Sequence, residues 1–246
     1  MSPRIRNLAW ILIALGAGLL GWSQLNAGPA RYVLAISWQP AFCEGRSRLP
    51  ECRAQTAGGY DATHFTLHGL WPQPRSRAYC GVSQDAIDLD KKRRWRDLPM
   101  DRISQPVWQR LQQVMPGTRS GLHKHEWIKH GTCAGTSGVD EYFSDALDVV
   151  DAINASAVQA LFASRIDREV SGDEIRAAFD KSFGRGAGDR VRISCKNDNG
   201  RRLIVELTIG LSGDISRDSN VADLIAASSS TEPGCPSGVV DPVGLQ

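Results

Sequence analysis

Short apolar or alternating runs lie toward both ends of the chain, with helical spacing between them. Residues 31–38 (RYVLAISW) and 63–71 (THFTLHGLW) suit strands, as do residues 190–196 and 203–211. Between them, residues 106–114 (PVWQRLQQV) space their apolar side chains three and four apart, and residues 139–153 do the same, so each predicts an amphipathic helix. Ser171 followed by Glu174 is a capping-box start for a further helix through Phe183, because each side chain can satisfy a backbone N–H near the other residue. Strands at the ends and helices in the middle predict an α+β fold, a central mostly antiparallel sheet packed by several helices, rather than alternating βαβ units. No repeat, low-complexity tract or Pro/Ser-rich linker divides the chain, so residues 28–246 are expected to form a single domain.

The apolar run at residues 8–22 (LAWILIALGAGLLGW) follows a short basic start carrying Arg4 and Arg6. Its 15 residues fall short of a bilayer span, which needs about 20. A secretory signal over residues 1–27, cut after Ala27, is the expectation. Only half of the small-x-small rule is met, because Leu25 stands two residues before Ala27, so an uncleaved anchor is the alternative. No later segment could span, so the mature protein is expected to be periplasmic or secreted. Export changes how Cys43, Cys52, Cys80, Cys133, Cys195 and Cys235 read, because an oxidising compartment favours disulfides over thiolate chemistry. Spacing alone favours only the local pair Cys43 with Cys52, and the absence of a Cys-x-x-Cys speaks against a zinc ribbon or redox motif.

A composition of 41% hydrophobic and 23% charged residues excludes a disordered or fibrous chain. The formal charge of +2 rests on Arg4 and Arg6, so the mature chain is neutral and any attraction for phosphates must be local. The basic run at residues 91–96 (KKRRWR) could be such a patch, yet Asp88, Asp90 and Asp97 flank it and a solvated loop is the favoured reading. Asn154-Ala-Ser156 is a glycosylation sequon, which matters only in a eukaryotic secretory route.

All five histidines fall in two groups, His64 and His68, then His123, His125 and His130. On a strand, His64, Thr66 and His68 face one way; on a helix, Glu126, Lys129 and His130 project over one broad face. Zinc hydrolases of the His-Glu-x-x-His type need histidines four apart, whereas His130 follows His125 by five, so no metal ligand set is expected. Metal-free cleavage of RNA by its own 2′-hydroxyl fits better: one histidine takes the hydroxyl proton, another protonates the departing 5′-oxygen. Lys129 and His125 could stabilise the charge that builds on phosphorus.

The segments FTLHGLWP at residues 65–72 and HEWIKHGTC at residues 125–133 resemble the two active-site segments of the ribonuclease T2 family. SWQPAFC at residues 37–43 and VRISC at residues 191–195 extend the resemblance, which covers most of residues 31–235 and is nearest to bacterial periplasmic members. The resemblance implies an α+β fold and metal-independent, cofactor-free cleavage of single-stranded RNA through a 2′,3′-cyclic phosphate, with low base specificity. It implies His68 as general acid, His130 as general base, Glu126 and Lys129 as stabilisers of the transition state, and His125 as a phosphate ligand. Trp71 matches an aromatic that lines a base pocket, with Tyr79 as its other wall; stacking suits every base. Gln73 departs from the acidic residue of some members, while His64 and His123 fall outside the essential set. The resemblance also implies the pairs Cys43–Cys52, Cys80–Cys133 and Cys195–Cys235. A monomer that leaves DNA uncut is expected. The rival from another class is an RNA- or partner-binding envelope protein on the same fold without turnover.

Overall fold

The computed structural model describes residues 27–244, so the expected leader, apart from Ala27, lies outside the described residues. In chain order the elements are β1 (Tyr32–Ser37), α1 (Gln39–Cys43), α2 (Pro50–Arg53), β2 (Thr66–Pro72), α3 (Gln84–Lys91), α4 (Gln105–Val114), α5 (Leu122–Lys129), α6 (Val139–Asn154), α7 (Ala157–Ser164), β3 (Glu169–Ser171), α8 (Gly172–Phe183), β4 (Val191–Asp198), β5 (Arg201–Leu211), α9 (Val221–Ala226) and β6 (Ser237–Val239).

The strands form one sheet in the order β2-β1-β5-β6-β3, with β4 also on β5. Among the described residues the named strands pair antiparallel except for the parallel contact of Leu203 with Val239, and three isolated bridges outside them are parallel. The expected α+β class and mostly antiparallel sheet are what is observed. Leu34 and Ile36 of β1 alternate into the core and meet Leu207, Ile209 and Leu211 of β5. Helix α6 supplies the opposite wall, burying Tyr142, Phe143, Ala146, Leu147, Val150 and Ile153 at helical spacing. Each large apolar side chain so buried stabilises by about 1.5–3 kcal/mol before chain entropy is counted. Trp38, Phe65 and Phe162 pack as a ring cluster, with centroids 4.6–5.5 Å apart. Among the described residues no single helix is long and apolar enough to cross a membrane. The bent α6–α7 pair passes that test by composition, and its apolar side chains lie in the core.

Helix α8 starts as its sequence predicts, with the Ser171 hydroxyl on the Glu174 N–H and the Glu174 carboxylate on the Ser171 N–H and hydroxyl. The second strand is shorter than its sequence pattern. A 3₁₀ turn at Tyr60–Ala62 precedes it, the His64 N–H donates to Tyr60 O, and the His64 ring stacks on Tyr60 at 4.4 Å. His64 therefore does not share a strand face with His68. The sequon residue Asn154 is the last residue of α6. Its side chain accepts from Phe65 N and donates to Phe65 O, which pins the entry to β2 and leaves the amide engaged in the fold.

The disulfides join Cys43 to Cys52, Cys80 to Cys133 and Cys195 to Cys235. The first ties α1 to α2, and the third ties β4 to the segment before β6. The second connects the loop after β2 to the turn after α5.

Candidate active site

In the ladder between β1 and β2, Ala35 faces Gly69 and Ile36 faces Leu67. His68 is thus the extra residue of a β-bulge, a device that re-aims a side chain out of strict alternation. This breaks the simple strand-face geometry that the sequence suggested for residues 64, 66 and 68. Helix α5 crosses behind β2 and stops at Lys129, with His130 at its C-cap and its N–H on Glu126 O. His130 keeps an αR conformation there, and its ring comes within 4.8 Å of the Glu126 carboxylate.

Glu126 is the hub, with a side chain only 1% exposed. Its Oε2 accepts from the Trp71 indole N–H at 2.9 Å, and its Oε1 lies 3.7 Å from His68 Nε2 and 3.9 Å from His125 Nε2. Such proximity to β2 requires glycine at position 69, where a Cβ would sit 2.0 Å from Glu126 Oε2. Trp71 stands between the two outer histidines, its ring 5.2 Å from His68 and 5.7 Å from His130. His125 meets His130 edge to face at 6.2 Å.

Two carboxylates outside the motifs orient two of these rings. His68 Nδ1 lies 2.6 Å from Glu206 Oε2 on β5, and His125 Nδ1 lies 2.6 Å from Asp90 Oδ1 on α3. In both cases Nε2 is the nitrogen turned toward Glu126. Asp90 is buried and also accepts from the Tyr79 hydroxyl at 2.7 Å. Tyr79 packs in a small cluster around Ala86, Leu98 and Ile128, so it reaches the site through Asp90. Trp95 stacks on His125 at 4.7 Å.

Residues 30–223 match the sequence model of the Ribonuclease T2 family. The chain belongs to this family. It is 32% identical to ribonuclease I of Escherichia coli over 205 residues, which covers 75% of each protein. It is 30% identical to extracellular ribonuclease LE of Solanum lycopersicum over 125 residues, about half of either chain. Among solved structures, Japanese pear S3-RNase shares the fold with a TM-score of 0.56 at 16% identity, covering 86% of this chain and 98% of that one. This T2-type endoribonuclease therefore presents its two motif segments on β2 and α5.

Electrostatics separates the two outer histidines of the ribonuclease. Burial alone would favour a neutral His68, but the hydrogen bond to Glu206 and the charges of Glu126 and Glu206 outweigh it, and His68 titrates above its ordinary value. His130 goes the other way: burial, then the charges of Lys129, His125 and His68, push it down to about 3. Burial raises the Glu126 carboxyl, against the opposing effect of His68 and His125. His123 stays outside the cluster, tilted against Trp108 at 5.0 Å, and burial pushes it down to about 4. Its Nδ1 has no hydrogen-bond partner among the described residues.

Beyond His68 the site opens into a cleft of about 600 Å³, lined among others by Ser37, Phe42, Arg46, Arg93, Lys196 and Glu206. Arg93 belongs to the basic run at residues 91–96, whose Lys and Arg side chains are exposed as a solvated loop requires. Trp95 of the same run is part of the site. His125, Glu126 and His130 offer ligand atoms within 4.8 Å of one another, so these three are the residues that could hold a cation.

Sequence reasoning missed Glu206, Asp90, Trp95 and the need for Gly69. One signal was available for Glu206, a single carboxylate inside the otherwise apolar or uncharged run LIVELTIGL at residues 203–211.

Proposed function

We propose that this ribonuclease is exported and cleaves single-stranded RNA without a metal, by transphosphorylation followed by hydrolysis. His130 Nδ1 or Nε2, neutral at working pH, accepts the proton of the 2′-hydroxyl as its oxygen attacks phosphorus. His68 Nε2 gives its proton to the departing 5′-oxygen as the P–O bond breaks, leaving a 2′,3′-cyclic phosphate. In the second step water takes the place of the 5′-hydroxyl, the roles reverse, and the ring opens to a 3′-phosphate. Lys129 and His125, with the buried Glu126 fixing their surroundings, stabilise the phosphorane between the two transfers. Trp71 offers a stacking face that tolerates any base, consistent with low base specificity.

The observation that carries this reading is the approach of both His68, at 3.7 Å, and His130, within 4.8 Å, to the one buried carboxylate of Glu126, and their opposite protonation tendencies agree with it. A general acid must hold its proton and a general base must lack one at the same pH. DNA lacks the 2′-hydroxyl and is left uncut. The basic, apolar N-terminal sequence supports export of the 28–246 catalytic domain.

A second reading has a specific observation behind it, the cluster of His125, Glu126 and His130. A divalent cation held there would make the protein a metal-dependent hydrolase. Incubation of single-stranded RNA with EDTA-treated protein separates the two. Accumulation of 2′,3′-cyclic phosphate ends at an undiminished rate is expected. Activity lost with EDTA and restored by zinc would favour the cation, and inertness under every condition would favour a binding protein.

A further inference from the structure

The cleft beyond His68 carries cations that the chemistry of the site leaves unused. Arg46 donates from Nη1 to Phe42 O at 2.6 Å and lies 4.6 Å over the Phe42 ring. Lys196, on β4, donates from Nζ to Glu44 O at 2.7 Å. Each is thus fixed in place by a backbone carbonyl, an acceptor that leaves the cationic charge in being. Both line the same cleft, and burial followed by the charge of Arg46 disfavours the charge on Lys196, against Asp198, Glu44 and Asp241. Two like charges held close together on a cleft wall repel, and a bridging anion relieves that repulsion. Two carboxylates line the cleft itself, and both are engaged: Glu206 faces His68, and Glu51 accepts from the Ser120 hydroxyl; the three that act on Lys196, Asp198, Glu44 and Asp241, are not among the lining residues.

The position of this pair relative to His68 says which anion. His68 protonates the 5′-oxygen of the leaving nucleoside, so that nucleoside departs on the His68 side of the reacting phosphate. The cleft is lined by His68 and Glu206, and by Trp95, whose ring stacks on His125, but not by Trp71 of the base pocket or by the general base His130. It therefore continues in the downstream direction of the substrate. In a polymer the leaving nucleoside carries a further phosphodiester on its 3′ side.

We propose that Arg46 and Lys196 form a binding site for the phosphate one step downstream of the scissile bond, so that the enzyme acts better on chains than on dinucleotides. This rests on the roles given above to His68 and His130. Arg93, which also lines the cleft, adds to the local field without being required for the contact. The overall neutrality of residues 28–246 makes such a local pair the means of selecting a polyanion.

The test compares kcat/KM for three substrates, UpA, UpA with a 3′-phosphate (UpAp) and UpA with a 5′-phosphate (pUpA). The wild-type protein is expected to prefer UpAp over UpA by about tenfold, the scale of a charge-assisted hydrogen bond. Arg46→Gln and Lys196→Gln, each checked for an unchanged melting temperature, are expected to remove most of that preference while UpA and pUpA change by less than about twofold. A wild-type enzyme with equal rates on UpA and UpAp would overturn the site. So would variants that lose rate equally on UpAp and pUpA, which is the signature of a diffuse field. Failure of the wild type on all three substrates would instead overturn the catalytic reading on which this site rests.

Discussion

His68 Nδ1 and Glu206 Oε2 lie 2.6 Å apart, although β1 stands between their strands in the sheet. Each step across a sheet is about 4.8 Å, so two side chains must reach over the intervening strand to meet. β1 presents Ala35 and Ser37 opposite Thr208 and Glu206, and small side chains there leave the path open. The contact holds the imidazole with Nε2 toward the reacting centre and favours its charged form.

The first consequence is in the pH profile. Glu206 raises the His68 pKa, so its removal lowers the pH at which the general acid loses its proton. Glu206→Gln should shift the alkaline limb of kcat/KM to lower pH. The loss should be about tenfold at pH 8 and within about threefold at pH 5, where His68 is protonated in both the wild type and the variant. An unmoved alkaline limb with a uniform loss at all pH values would mean that Glu206 acts on structure alone.

Gly69 is the second point of leverage. A methyl group there would overlap the Glu126 carboxylate and crowd the Trp71 indole nitrogen. Gly69→Ala should lower kcat by about a hundredfold, the scale of a displacement near 1 Å at a reacting centre. Because the damage passes through Glu126, the double variant with Glu126→Ala should be little worse than Glu126→Ala alone, a non-additivity that a four-point cycle measures. Additive losses would show that Gly69 acts independently of Glu126.

The motifs were legible because their chemistry is local: His125, Glu126, Lys129 and His130 lie within one turn or so of α5 and its cap. Strands β1, β2, β4 and β5 and helices α4 and α6 were legible from apolar spacing, and α8 from its capping box, for the same reason, whereas the three-residue β3 and β6 were too short to show a pattern. What escaped depends on contacts between distant segments. Glu206 is 138 residues from His68, and Asp90 is 35 from His125, so neither spacing nor a helical wheel relates them. The bulge at His68 arises from the register of β2 against β1, which the sequence of β2 does not encode alone. Trp95 lay inside a run of cations whose charge pattern was read correctly, and its stacking on His125 requires the fold of the loop.

The Cys80–Cys133 disulfide has a functional consequence beyond stability. Cys133 ends the turn that follows His130, and Tyr79, next to Cys80, donates its N–H to Lys129 O. The bridge thus fastens the end of the α5 segment to the loop that leaves β2. Closing a loop of 53 residues stabilises by about 4 kcal/mol in the chain-entropy model. Replacing Cys80 and Cys133 together by Ser should cut activity at low temperature by more than the unfolded fraction explains, while the Cys43 and Cys52 pair should affect mainly stability. Circular dichroism beside initial rates decides this, and a folded double variant with full activity would contradict the positioning role.

The assignment of acid to His68 and base to His130 is open to one direct measurement, made with a substrate whose leaving group needs no proton. Uridine 3′-(p-nitrophenyl phosphate) releases a stable anion, so a missing general acid matters little, whereas a missing general base still leaves the 2′-hydroxyl unactivated. On RNA, His68→Ala and His130→Ala should each lose about 10²–10⁴-fold. On the p-nitrophenyl ester, His68→Ala should recover to within about tenfold of the wild type, and His130→Ala should remain as impaired as on RNA. Recovery of His130→Ala in place of His68→Ala, or equal impairment of both on the two substrates, would contradict the assignment.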